Sequence, residues 1–228
     1  MVTVALDVDP ARARPFVDAA APTHPSLVDQ AHVTDELLGI VNVPMAVWID
    51  ESGTLVRPAE LAAVTESPLK GQPVPEGLPD RMRRMLEEVQ RIPGDPRRYH
   101  AAVVDWVERG PASPWALTPD EVVARSVPRR RDQAEAAACF ELGQHLWRAG
   151  EPDAATGWWR EAHRLDPGNW TYKRQAWTFA TTPEGAPPDL IQGPTDLYEG
   201  NWLDDVVEQG GGGHYYPPSE LAGTDRTG

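Results

Sequence analysis

The chain has one cysteine, Cys139. That excludes an intrachain disulfide, a Cys-x-x-Cys redox pair and a thiolate-built metal centre. Basic residues are scarce as well: 21 Lys and Arg against 35 Asp and Glu leave a formal net charge of -14. Such a balance opposes general binding to nucleic-acid phosphates or an anionic membrane, so neither is expected as a partner. The one dense basic run, Arg129-Arg130-Arg131, reads as a solvated helix start. No stretch reaches the roughly 18 apolar residues of a membrane span, and the N-terminus lacks the basic-then-apolar layout of a signal peptide. A cytoplasmic protein is expected. Several catalytic signatures are missing too. There is no HExxH, no GxSxG, and the run Gly210-Gly211-Gly212-Gly213 precedes no Lys-Ser/Thr helix start. Glu141, His145 and His163 lack metal-ligand spacing, so neither a metal nor a cofactor is expected.

What is present is an ordinary globular composition, 40% hydrophobic and 25% charged over 228 residues, enough for one large or two small domains. Residues 2–9 begin with β-branched side chains and read as a buried strand ending at Asp9-Pro10. Residues 11–20 read as a helix whose Ala13, Phe16, Val17 and Ala20 share one face, stopped by Pro22. Residues 26–30 read as irregular, and residues 32–38 as a short helix closed by Gly39. The run Met45-Ala46-Val47-Trp48-Ile49, a turn over 50–53 and a return strand over 54–57 make a hairpin. Residues 58–79 carry many prolines and read as a linker. Helices are expected over 80–92, 96–109 and 118–126, the last opening with Thr118-Pro119-Asp120-Glu121, a capping-box start. Beyond residue 181, prolines and glycines predict a loosely ordered end with one helix over 201–208.

The stretch 40–56, IVNVPMAVWIDESGTLV, resembles the GVxxVPTTFLIDxxGxIV segment of the thioredoxin-like (redoxin, thiol-disulfide oxidoreductase) family. The resemblance covers residues 1–60 and corresponds to the C-terminal half of that domain. It implies that the peptide before Pro44 is cis and that Val43 and Pro44 form the substrate-binding loop, the Val43 backbone being offered to an extended peptide. The family's active-site motif would precede Met1, so no residue here is assigned as catalytic. Cys139, in the apolar context Ala136-Ala137-Ala138-Cys139-Phe140, reads as a packed, inert thiol. In the family's sheet the missing strand is central. Residues 2–8 are therefore expected to pair with the strand at 45–49, to pair with a second copy of the chain, or to be poorly ordered. Either the chain is a fragment of a longer protein, through a misplaced start codon or a selenocysteine codon read as a stop, or another segment fills the gap.

The spacing Cys139-x2-Leu142-Gly143-x2-Leu146, then Ala155-x3-Trp159, Ala162 and Pro167, is similar to a tetratricopeptide unit. Gly143 and Ala155 are small enough for two helices to approach closely, and core packing is expected to take most of Trp147, Trp158, Trp159, Trp170, Trp177 and Trp202. The expected architecture is therefore α/β then all-α, a partial thioredoxin-like sheet followed by a helical tail. Its parts are a partial domain over 1–60, a linker over 61–79, a helical domain over 80–182 with the hairpin at 136–169, and a C-terminal segment over 183–228. The implied activity is thiol- or selenol-dependent reduction of a disulfide or peroxide substrate in a longer form, with this chain inactive. The alternative is a non-enzymatic module that binds a protein partner through the helical tail.

Overall fold

The computed structural model describes residues 1–126, 128–179, 197–198 and 200–223. In chain order its elements are β1 (Thr3–Leu6), α1 (Pro10–Ala20), β2 (Ser26–Asp29), α2 (Val33–Leu38), β3 (Met45–Ile49), β4 (Leu55–Leu61), α3 (Asp80–Arg91), α4 (Pro96–Arg109), α5 (Pro119–Arg125), α6 (Arg131–Arg148), α7 (Pro152–Leu165), α8 (Trp170–Phe179) and α9 (Trp202–Glu208). This is a mixed α/β layout followed by a helical one. Two compact units result. Among the described residues the first holds 1–41, 129–179 and 197–198, and the second holds 42–126, 128 and 200–223. No helix among them is long and apolar enough to cross a membrane.

In the first unit β1 and β2 pair in parallel, from Thr3 opposite Ser26 to Leu6 opposite Asp29. A parallel pair needs a long crossover, and α1 supplies it. Pro10 sits at the start of α1, and the Asp9 carboxylate caps the helix by accepting the Ala11 N–H at 2.9 Å. At the end of β2 the Asp29 carboxylate takes both the N–H and the hydroxyl of Thr34, each at 2.6 Å, which anchors the start of α2. Partial burial would raise the pKa of Asp29, but these Thr34 bonds outweigh it and hold the carboxyl below its usual range.

The helices α6 and α7 form a hairpin across residues 149–151, where Gly150 takes a left-handed turn at φ 83°. Their seam is closed by Ala136, Ala155, Ala162 and Trp159, none with exposed surface. A methyl group on Gly143 would stand 2.6 Å from the Trp159 indole and 3.2 Å from the Ala155 carbonyl, so glycine is what lets the helices meet. Trp159 also stacks on Phe179 of α8, with centroids 5.3 Å apart and planes 5° from parallel. Phe140 stacks on Tyr172 at 4.4 Å and meets the His32 ring edge-on at 5.0 Å. His32 is buried, with Nδ1 3.0 Å from Asp35 Oδ2 and Nε2 3.2 Å from Gln175 Oε1.

In the second unit β3 and β4 are antiparallel, from Met45 opposite Leu61 to Ile49 opposite Leu55, with irregularities on either side of Trp48. Asp50 shapes the connecting turn, its Oδ1 accepting the N–H groups of Ser52 and Thr54 at 2.9 Å. Trp48 is buried and stacks on Trp106 of α4 at 4.9 Å. Thr118 and Glu121 form the reciprocal cap at α5.

Four local readings change. Residues 26–29 form β2 rather than an irregular stretch, so β1 finds its partner there, and the two sheets stay separate. The strand at residue 54 onward continues to Leu61, into the stretch read as linker. On α1, Phe16 is 78% exposed and Ala20 is exposed too, so of the four positions read as one face only Ala13 and Val17 are partly covered. Within the end segment read as loosely ordered, residues 200–223 carry buried Leu203, Val206, Tyr215, Tyr216 and Leu221. The rest of that segment, 183–196, 199 and 224–228, lies outside the described residues.

Candidate functional site at Pro44

Val43 and Pro44 lead into β3, and the peptide between them is cis. The Pro44 carbonyl accepts the Ala62 N–H at 3.2 Å, which continues the β3–β4 ladder one residue beyond Met45. Beside Pro44 lies a cleft of about 260 Å³. Its walls are the segment 61–67, the α3 end and following turn at Val89, Ile92, Pro93 and Gly94, then Pro96 and Tyr216. They are mainly apolar, and Lys70 bridges part of the rim by donating its ammonium to the Gly94 carbonyl.

The backbone of Val43 is already engaged. Its N–H donates to Asn42 Oδ1 at 2.9 Å, and its carbonyl accepts the Tyr216 hydroxyl at 2.6 Å. Asn42 is fully buried, and its amide nitrogen donates to the Tyr215 carbonyl at 3.0 Å. Burial of such a side chain is tolerated because these bonds satisfy it.

A buried ionic cluster holds the same segment further along. Arg57 on β4 is 1% exposed. It donates to Glu60 at 2.6 and 3.2 Å, to the Trp115 carbonyl at 2.8 Å and to Glu220 at 2.9 Å. The Ser219 hydroxyl donates to Glu60 at 2.5 Å, and Arg125 of α5 pairs with Glu220 at 3.1 Å. Partial burial would raise the pKa of Glu220, but its bonds to Arg125 and Arg57 overcome this and hold it below the usual carboxylate range. Burial also works against the charge on Arg57, and the two glutamates outweigh it.

Cys139 lies in α6 of the first unit, and burial, reinforced by Glu161 and Glu135, pushes its thiol pKa up. His163 is buried in α7, where loss of water and the nearby Lys173 charge bring its pKa down to about 3. Among the described residues no three His, Cys, Asp or Glu side chains are grouped to hold a metal ion. Of the six tail tryptophans, Trp159, Trp170, Trp177 and Trp202 are buried, Trp147 is half-buried and Trp158 is exposed.

Of the sequence-predicted site residues, Pro44 lines the cleft and Val43 precedes it in the chain; of the residues the sequence alone did not single out, Tyr216 lines the cleft, while Asn42, Arg57, Glu60, Ser219 and Glu220 bond the loop and β4 without lining it. The spacing Arg57-x2-Glu60 was the one available signal, and in a strand it points to opposite faces unless the strand is irregular, as it is here. The arrangement offers no thiol at the cleft. No family model, no curated protein and no solved structure matches this chain.

Proposed function

We propose that the chain is the substrate-recognition part of a thioredoxin-like redox protein that serves thiol- or selenol-dependent reduction of a disulfide or peroxide, and that it carries out no reduction by itself. The observation that supports this reading is the apolar cleft opening at Pro44, next to the loop that the resemblance over residues 40–56 makes the substrate loop. Its volume, about 260 Å³, falls below the range of about 300–1,000 Å³ usual for whole small-molecule ligands. It suits one or two side chains of an extended peptide, and a disulfide borne by such a peptide is the substrate we favour. The reacting thiol or selenol comes from outside these residues.

The test is a fluorescence-anisotropy titration with a labelled octapeptide, apolar at alternate positions, whose central cysteine is blocked as a methyl disulfide. Saturable binding is expected, and Val64→Arg, at an exposed position on the cleft wall, should weaken it at least about tenfold by crowding the opening. In insulin reduction the chain should stay at background. No binding, or binding indifferent to Val64→Arg, would refute the cleft reading.

A second reading, a non-enzymatic module binding a protein partner through the tetratricopeptide-like hairpin, is favoured by one observation. Trp158 on α7 is 41% exposed and Leu142 on α6 is 37% exposed, and tryptophan is the residue type that most often anchors interfaces. A partner captured by the chain and lost with Trp158→Ala, while Val64→Arg still captures it, would favour this reading over the first.

A further inference from the structure

The residues that cover the Val43–Pro44 loop come from the far end of the second unit, and they do so by polar contacts rather than by bulk. Tyr216 donates its hydroxyl to the Val43 carbonyl, and the Tyr215 carbonyl receives the Asn42 amide. Three to five residues later the chain is clamped by Ser219 on Glu60 and by Glu220 between Arg57 and Arg125. Tyr216 also forms part of the cleft wall. One short segment therefore contributes to the cleft and occupies the backbone acceptor beside it, with its own anchor immediately downstream.

We infer that residues 215–220 form an intramolecular strap that competes with an incoming peptide for the Val43 carbonyl. The inference rests on the reading of the cleft as a peptide site. The Tyr216 hydroxyl already holds one lone pair of the Val43 carbonyl at 2.6 Å, so an extended peptide laid along Pro44 has the full strength of that acceptor only by displacing the hydroxyl. The exchange is one hydrogen bond for another, so it costs the peptide affinity without forbidding entry. The anchor sets how readily the strap yields. The buried Arg57–Glu60 pair remains satisfied if Glu220 leaves, because Glu60 and the Trp115 carbonyl still hold the guanidinium. Glu220, whose side chain is about a third exposed, is thus the more accessible end of the clamp and the end from which the strap would yield.

The experiment compares the full chain with Tyr216→Phe and, separately, Ser219→Ala, using the same methyl-disulfide octapeptide in the anisotropy titration. Phenylalanine keeps the ring in the cleft wall and removes the competing hydroxyl. Tighter binding is expected, by about threefold to tenfold for Tyr216→Phe and by a smaller factor for Ser219→Ala. Peptide that binds the original chain and both variants with equal affinity would overturn the strap while leaving the cleft reading intact. Weaker binding by Tyr216→Phe would overturn it too, since the hydroxyl would then be helping the peptide. Absence of binding by all three chains would overturn the cleft reading and the strap together.

Discussion

The βαβ stretch from β1 to β2 and the helical hairpin of α6 and α7 belong to the same unit and are held by different means. No residue of β1 or α1 is buried, Val2, Val4, Phe16 and Leu27 are exposed, and among the described residues β1 pairs with β2 alone in its sheet. The hairpin closes on four side chains without exposed surface, one of them a tryptophan wedged against a glycine. Local signals make regular structure in both: a proline start for α1 and α7, an Asp cap for α1 and a β-branched run for β1. Only in the hairpin does that structure also carry a packed core, and stability should follow burial rather than regularity.

Trp159→Ala should cost about 3–5 kcal/mol of unfolding free energy in denaturant melts, because it empties a fully buried site. A loss no greater than that of an exposed alanine substitution would break the contrast. Gly143→Leu should cost about 1–3 kcal/mol by driving a side chain into the Trp159 indole, and an unchanged melting temperature would argue against the close approach.

His163 sharpens the contrast through pH. In the unfolded chain it takes a proton near pH 6.5, while in the folded chain burial delays this to about 3. Between these values the unfolded chain binds more protons, so stability falls as pH falls, by at most about 1.4 kcal/mol per pH unit from this group, and it contributes no slope above 6.5. His163→Phe should flatten that acid limb; an identical limb in the variant would place the pH dependence elsewhere. The smallest effect is expected at Phe16, 78% exposed on α1. Phe16→Ser should move stability by no more than about 0.5 kcal/mol, and a larger loss would reveal packing on a face that stands open in the structure.

How much was legible follows the range of each interaction. Helices α4 and α7 lie within the ranges read from proline starts and apolar spacing, and Gly143 was picked out as a contact because its partner Ala155 is on the next helix. The hairpin β3–β4 was legible from Asp50-Glu51-Ser52-Gly53 between apolar runs. β2 was not, since it offers only Leu27 and Val28 between Pro25 and Asp29 and takes its shape from pairing with β1. At the candidate site, Val43 and Pro44 were singled out through a local pattern. Tyr216, 173 residues from its partner Val43, leaves no periodic trace, and neither does Ser219, 159 residues from Glu60. Buried charge such as Arg57 also runs against the composition rules that guide a strand reading, so its role appears only once its partners are assembled.

The cleft at Pro44 is the central claim, and an amide chemical-shift map of the isotope-labelled chain titrated with the methyl-disulfide octapeptide tests it most directly. The account predicts shifts at Met45, across residues 61–67, and at Val89, Ile92, Gly94 and Tyr216. Shifts confined to α6 and α7 around Leu142 and Trp158, or no shifts at saturating peptide, would contradict it.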